Sequence, residues 1–529
     1  MTAAMRAVAA AGAIAVTGAM FGHLSAVGVV YLGAACSVAF VPAGVYRVQA
    51  IALLAQGAGA MLGICAGNLL PTSLPSLVAS AVVAGTVSGL VGSVGPNAPG
   101  FGMMLSIGLA FGQFGGSALP WWQQSFLYFV GLVVVAAATL APWVLRRNVR
   151  ERQIVAAVYF SAADLCAATC TTGAAAARAR LAAASADLRA ATPHPKAELL
   201  AYSVAALYAE GRPVSNAVVD AIRTAGSQVL ADVPVQVQID DARPSPGMAA
   251  LQDALSSNPQ RPPAPHTQWS AWATFHAVTS RHAQSNGIRI GVCMGVATAL
   301  TATLHEPTHS FWLPLTVAVI VRPEYASIFV RTVNRLMGTI VGALVAAGVL
   351  SVTPAGLPVA AAAALALGFA VLSAPKQYGL SVIGVTASAL LSSSIGQQDP
   401  VLPGLRLVDT LLGATIAVVF GYLLWPTSRQ FPEEARLDVA LTAAHDYFTE
   451  AVKSPEQRTH WQTRRDDAYR LAHQAASAIR TAISEPPPLG PAAARLLPAG
   501  IELEDTVTPS PRSRISQIIT EMLEFWRTW

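Results

Sequence analysis

The chain has 529 residues, 53% hydrophobic and only 12% charged, with a formal net charge of +5. Soluble globular proteins carry about 25% charged residues, so this composition excludes an ordinary soluble domain. The positive excess is small and dispersed, which does not point to nucleic acid as a partner.

Residues 1–145 hold two charged side chains, Arg6 and Arg47. A block of that length is several times the roughly 20 apolar residues that span a bilayer as a helix. Lipid offers nothing to satisfy free backbone groups, and the apolar runs are continuous rather than alternating, so the spans read as helices. Arg6 before an apolar run resembles a signal peptide. The run continues directly into further spans, so it reads as the first membrane helix. Breaks at Pro and Gly divide the block into about six segments, near 6–22, 25–43, 48–69, 74–93, 101–118 and 125–145.

Residues 146–285 hold 13 basic and 10 acidic residues. They are alanine-rich and helical in pattern over 151–191, with a proline-rich linker NPQRPPAP from Asn258 to Pro265. Residues 286–426 are apolar again, with six basic and four acidic residues. Their segments fall near 288–304, 311–321, 333–350, 356–373, 378–395 and 405–425. The stretch 311–321 is short for a span and reads as a broken or interfacial helix, a feature common near transport sites. Residues 427–529 are polar and helical in pattern, with a linker EPPPLGP from Glu485 to Pro491. The five cysteines, Cys36, Cys65, Cys166, Cys170 and Cys293, form no C-x-x-C, and no disulfide framework or zinc ribbon follows from them. No phosphate-cradling glycine loop is present, which disfavours an ATP-driven pump.

The two apolar blocks resemble each other. RLMGTIVGALVAAG, from Arg335 to Gly348, aligns with QGAGAMLGICAG, from Gln56 to Gly67, placing Gly59 on Gly338 and Gly63 on Gly342. Arg6 falls opposite Arg289, and the offset stays near 280 through both blocks, the pattern of a duplicated unit. About six helices per unit return the chain to its starting side, so the repeats are parallel, related by an axis along the membrane normal. The expected fold is an all-α integral membrane protein. It comprises a first transmembrane repeat (1–145), a central helical cytoplasmic domain (146–285), a second transmembrane repeat (286–426) and a C-terminal helical cytoplasmic domain (427–529). The excess of Arg146, Arg147, Arg150, Arg152, Arg322, Arg331, Lys376 and Arg429 on one side places both termini in the cytoplasm. His305, Glu306, His309 and Asp399 fall in the opposite loops.

The stretch FWLPLTVAVIVRPEYASIFVRTVNRLMGTIVG, from Phe311 to Gly342, resembles the signature of the fusaric acid resistance, or aromatic acid exporter, family. Its marks fall on Trp312, Arg322-Pro323 and Asn334, Arg335, Gly338, Thr339 and Gly342. The plant aluminium-activated malate transporters are similar at a greater distance. The likeness is specific in the second block and weaker in the first, where Gln56 and Ala60 replace the arginine and the threonine. The resemblance implies an inner-membrane, multi-pass exporter of aromatic or other organic anions, or an anion conductor.

The residues themselves suggest roles. Arg331 and Arg335 lie one turn apart, with Gly338, Thr339 and Gly342 continuing the face. A guanidinium is always charged and its fork matches a carboxylate, so the pair is a candidate carboxylate entrance. The alternative is that both snorkel to headgroups as positive-inside anchors; the resemblance favours the entrance for Arg335. Asn334 and Thr339 would add polar contacts, and Trp312 and Phe311 would meet the cargo's ring. Gly338, Gly342, Gly59 and Gly63 would let helices approach closely. Asp409 lies inside the sixth segment with Arg406 one turn before it. It is a proton-coupling candidate or one half of a structural pair. Trp122 and Ser125 stand at those places in the first block.

HEPTH, residues 305–309, fits H-E-x-x-H, the zinc-protease pattern. Pro307 between the histidines opposes it, because a proline inside the helix removes a hydrogen bond and clashes with the preceding turn. The motif reads as a hydrated loop, or as a pH-sensitive outer mouth through His305, Glu306 and His309. No enzyme activity, metal or cofactor is expected. The expectation is a proton-coupled organic-anion exporter that works in the lipid bilayer. A passive anion channel is one alternative. Another is a membrane scaffold for an envelope-assembly partner, which predicts that Arg335→Ala is silent while deletion of 151–260 is not. A homo-oligomer is left open.

Overall fold

The computed structural model describes residues 9–10, 12–14, 24–40, 46–94, 98–115, 119–145, 149–168, 171–191, 194–209, 214–237, 246–255, 275–276, 278–304, 311–321, 328–354, 356–373, 378–395, 401–425, 432–452, 461–483 and 489–507. No strand occurs among them. The HEPTH motif, Arg6, Arg322, Pro323, Lys376 and Asp399 lie outside the described residues, as does most of the first predicted segment.

Met1–Leu145 and Trp269–Arg429 form one compact unit; Arg146–Gln268 and Gln430–Trp529 form another. The first unit begins with α1 (Leu24–Phe40), α2 (Tyr46–Leu69), α3 (Leu74–Val91), α4 (Ala98–Phe114) and α5 (Trp121–Leu145). The polar helices α6 to α10 follow in the chain. The second apolar block then supplies α11 (Arg281–Leu304), α12 (Trp312–Ile320), α13 (Ile328–Val352), α14 (Leu357–Ser373), α15 (Tyr378–Ser393) and α16 (Leu402–Val418). Six helices among the described residues are long and apolar enough to cross a membrane, and four more are apolar but shorter. The protein is an integral membrane protein. At 1.5 Å per residue, the nine residues of α12 reach less than half of a ~30 Å hydrocarbon core.

Local chemistry sets the helix ends. Ser73 stands in extended conformation before α3, and a proline occupies the first turn of α3 and of α16, where its missing N–H removes no hydrogen bond. Gly356 turns the chain into α14 at φ +102°, a conformation that side chains with a Cβ rarely adopt. The end of α16 widens into one π turn, Val419–Leu423, in which Leu424 N–H reaches the Val419 carbonyl at 3.1 Å.

The same pairings recur in both blocks. In the first block α2 packs on α4, α1 on α5 and α2 on α5; in the second, α13 packs on α15, α12 on α16 and α13 on α16. The closest seams are made by glycine. A Cβ on Gly59 or Gly63 would strike the carbonyl of Phe101 or Leu105 of α4. On α13, a Cβ at Gly338 would lie 2.7 Å from Val382 Cβ, and one at Gly342 would lie 2.7 Å from the Ile383 carbonyl. The blocks meet each other chiefly along α3 and α11, where Gly85 and Gly89 face Gly291 and Gly287 backbone to backbone. Hydrocarbon offers no hydrophobic drive for helix association, so this closeness, with the dispersion contacts it allows, holds the seams.

In the second unit, α6 (Val149–Ala167), α7 (Thr171–Ala191), α8 (Pro195–Ala209), α9 (Asn216–Leu230) and α10 (Pro246–Leu255) bury Tyr159, Leu165, Leu188, Leu200 and Ile222. The helices α17 (Pro432–Val452), α18 (Trp461–Ala482) and α19 (Leu489–Val507) bury Tyr447, Phe448, Ala472 and Leu503.

Candidate functional site

Charged side chains inside an apolar unit are expensive and mark candidate sites. Among the described residues of the membrane unit, three guanidiniums are buried: Arg289 at 0% exposure, Arg335 at 4% and Arg406 at 4%. Among the described residues of this unit, Asp409, at 5%, is the one buried carboxylate.

The short helix α12 runs beside α16, which brings Trp312 against Arg406. The guanidinium carbon stands 4.9 Å from the centroid of the indole ring, and Nη1 donates to the Trp312 carbonyl at 3.4 Å. Trp312 is thus the platform of Arg406, with one ring face taken by the cation. Phe311 makes edge contacts with Trp312, at 6.1 Å between centroids, and with Phe111 of the first block, at 5.2 Å. Asp409, one turn after Arg406, attracts its charge; Arg335 of α13 is near enough to repel it.

The Arg335 side chain is covered by the protein. Its Nε has no hydrogen-bond partner among the described residues. Its helix α13 packs on α15 and α16 of the same block. One turn on, the fully buried Thr339 hydroxyl also lacks a partner among the described residues, as does the Thr386 hydroxyl across the seam on α15. Asn334 lies over Gly379 of α15, with its amide oxygen 2.9 Å from where a Cβ would be. Arg331, one turn before Arg335, is half-buried. The structure therefore gathers Phe311, Trp312, Arg406 and Asp409 into one region, with Arg335 on α13, the helix that packs on α16. It leaves Arg331 and Asn334 at the margin of that region.

In the first block, Gln56 occupies the place of Arg335 and is also buried; Ser125 is buried and Trp122 exposed. Sequence reasoning passed over three buried features. In the sequence, Arg289 stands out only as the counterpart of Arg6. It donates to the Gly421 carbonyl at 3.4 Å and to Asn286 Oδ1 at 3.3 Å, and so ties α11 to the π turn that ends α16. Tyr31 of α1 bonds across the blocks to the Ala363 carbonyl at 3.0 Å and to the Ser388 hydroxyl. Tyr128 of α5 donates to Met104 Sδ at 3.7 Å. A polar residue in an otherwise apolar run was the available signal for each.

The second unit holds a contrasting charge cluster. Glu504 of α19 is 3% exposed. His473 Nδ1 is 2.9 Å from its Oε1 and Arg480 Nη2 is 3.3 Å from its Oε2. Burial pushes this carboxyl up, but the hydrogen bond and charge of His473, with the charges of Arg178 and Arg480, outweigh it and hold Glu504 below its ordinary value. Burial alone pushes Cys166 up to about 12, so it is an inert packing thiol.

Residues 288–420 match the fusaric acid resistance protein-like family. The chain is similar to the uncharacterized protein YhfK of Escherichia coli, 32% identical over 146 residues, which are 27% of this chain and 20% of that one. An uncharacterized protein of Synechocystis is 31% identical over 181 residues, 32% of this chain and 23% of that one. The inner membrane protein YccS of Escherichia coli is 28% identical over 218 residues, 39% of this chain and 29% of that one. The chain thus spans under a third of the length of these relatives. No solved structure matches. The stretch that resembles the fusaric acid resistance protein-like family, residues 288–420, carries Arg289, Trp312, Arg335, Arg406 and Asp409.

Proposed function

We propose that this protein is an inner-membrane transporter that exports aromatic or other organic anions between two parallel six-helix repeats, driven by the proton gradient, with both termini in the cytoplasm. The observation that carries this reading is the Arg335 guanidinium: buried in an apolar unit, with Nε unpartnered among the described residues. A charge at such a depth is unfavourable by about 2.5–3.5 kcal/mol on insertion scales. A carboxylate that arrives and leaves offsets that cost for as long as it is bound, through a charge-assisted fork. Arg289 and Arg406 add to the positive interior. Arg406 is steadied by Trp312, and Asp409 beside it is the group able to exchange a proton with one side of the membrane. The recurring helix pairings of the two blocks support the repeat, and the likeness to an inner membrane protein supports the location.

The test is flux of radiolabelled aromatic carboxylates, benzoate among them, in vesicles reconstituted with the full chain. Wild type and Arg335→Ala are compared with and without a pH gradient. Saturable, gradient-driven flux that Arg335→Ala abolishes is the expected result. Flux that ignores the pH gradient and follows the anion's electrochemical potential assigns a channel instead. Absence of saturable flux of any anion ends the proposal.

A further inference from the structure

We infer that Tyr378 and Thr386 of α15 complete, with Arg335 and Thr339 of α13, a carboxylate site set in the α13–α15 seam of the second block. The inference rests on the reading of Arg335 as the anion contact and adds the residues that share the anion with it. Comparison of the two blocks places these side chains. A Cβ on Gly63 would strike the Leu105 carbonyl and lie 2.6 Å from the Leu109 nitrogen of α4; one on Gly342 would lie 2.7 Å from the Ile383 carbonyl and 3.3 Å from the Ala387 nitrogen of α15. The same register holds one turn earlier, where Gly59 meets the Phe101 carbonyl and Gly338 that of Gly379. In this register Gln56 and Ala60 of α2 answer to Arg335 and Thr339, and Gly100 and Gly108 of α4 answer to Tyr378 and Thr386. The first seam is closed at those places: a Cβ on Gly100 would lie 3.2 Å from Gln56 Cγ, and one on Gly108 would strike the Ala60 carbonyl. The second block sets a phenol and two hydroxyls where the first has two glycines and an alanine. Thr386 lies against Gly342, its Cβ 2.9 Å from where a Cβ on that glycine would stand.

These groups are buried, yet open. Arg335 is 4% exposed, Thr339 0% and Thr386 1%. Arg335 Nε, Thr339 Oγ1, the Tyr378 hydroxyl and Thr386 Oγ1 each lack a hydrogen-bond partner among the described residues. Other buried threonines of the membrane helices turn back on their own helix: Thr301 donates to the Ala297 carbonyl at 2.9 Å, Thr316 to that of Trp312 at 2.9 Å and Thr410 to that of Arg406 at 2.7 Å. Buried polar atoms ordinarily find a partner, so four open ones along one seam mark a place for a ligand. All four groups can donate, one carries a positive charge, and neither α13 nor α15 contains an acid. A carboxylate, with two acceptor oxygens and one negative charge, matches that set. A cation meets only repulsion there. Because the matching seam of the first block is closed by glycine and alanine, the chain holds one such site rather than two.

The experiment measures benzoate flux in vesicles and benzoate-induced thermal stabilisation of the purified full chain. It compares wild type, Tyr378→Phe, Thr386→Val, Thr386→Ser, Arg335→Gln, the double variant Arg335→Gln with Thr386→Val, and Thr301→Val. Loss of one hydrogen bond to a charged group raises the half-saturation concentration about 10-fold or more. That rise is expected for Tyr378→Phe and for Thr386→Val, while Thr386→Ser, which keeps the hydroxyl, stays within about three-fold of wild type. Without benzoate, both variants unfold at an unchanged or higher temperature, because an open buried hydroxyl has been removed. In the Arg335→Gln background Thr386→Val has less than about a two-fold effect, because both groups act on one carboxylate. Thr301→Val removes a buried hydroxyl that is already bonded to its own helix and leaves the half-saturation unchanged; a rise equal to that of Thr386→Val would show a packing role and overturn the inference. Unchanged affinity in Tyr378→Phe and Thr386→Val beside saturable wild-type flux, or an undiminished effect in the double variant, overturns this inference and leaves the proposed function standing. Neither flux nor thermal shift with any carboxylate in wild type ends both.

Discussion

Two buried charges in this molecule are treated in opposite ways. Glu504, in the polar unit, is met by His473, Arg480 and the charge of Arg178. Arg335, in the membrane unit, is as deeply buried, yet its Nε has no partner among the described residues. A buried charge matched by its neighbours is a structural tie, and removing one partner is strongly destabilising. A buried charge left open contributes little to folding, and the sequence retains it at an energetic cost. Under the proposed function, the contrast gives the first a part in folding and the second a part in cargo binding.

The most severe test of that contrast is Arg335→Gln, which copies the residue of the first block. Vesicle flux is expected to fall by about 100-fold or more, the scale of a lost charge-assisted fork. Thermal unfolding of the purified chain is expected at an unchanged or higher temperature, because an uncompensated charge has been removed. A flux loss matched by a comparable loss of stability would erase the distinction. Glu504→Gln is the converse. Breaking a buried pair destabilises by about 3 kcal/mol, read as faster hydrogen exchange in α18 and α19, while the half-saturation for benzoate stays as in wild type. Asp409→Asn sharpens the comparison within the membrane unit. Maximal gradient-driven flux is expected to fall about 10-fold, while exchange at equal pH persists, in keeping with the size of general proton-transfer effects.

Smaller effects follow. Trp312→Leu removes the platform under Arg406, worth about 1 kcal/mol, and should raise the half-saturation about five-fold with little change in stability. The smallest signal is in pH. Glu504 is held below its ordinary carboxylate value of 4.5, so its stabilisation is complete above about pH 4.5. That stabilisation is lost as the pH falls through the lowered value of the folded state. Acid titration of the full chain, followed by circular dichroism, should show a transition in that window that Glu504→Gln abolishes.

The scale of the architecture was legible from residues alone. Charge-poor blocks separated by charged ones announced the membrane and polar parts, because hydropathy over some 20 residues is a local property that lipid reads directly. The ends of α2, α3, α13 and α14 fall within a few residues of the breaks set by Pro, Gly and charge. Arg335, Gly338, Thr339 and Gly342 stand on one helical face because their spacing requires it.

Only the tertiary structure decided where those faces point. Spacing left Arg335 free to snorkel or to turn inward. Its burial follows from α13 lying against α15 and α16. Trp312 read as a contact for the cargo's ring, yet the packing of α12 on α16 puts Arg406 on that ring. Tyr31 meets Ser388 across 357 positions and Arg289 meets Gly421 across 132, separations at which no local pattern carries information. A chain's composition determines what each helix tolerates around it. Which polar side chain meets which is decided when the helices pack, because only then do donors and acceptors from distant segments compete for the same few buried partners.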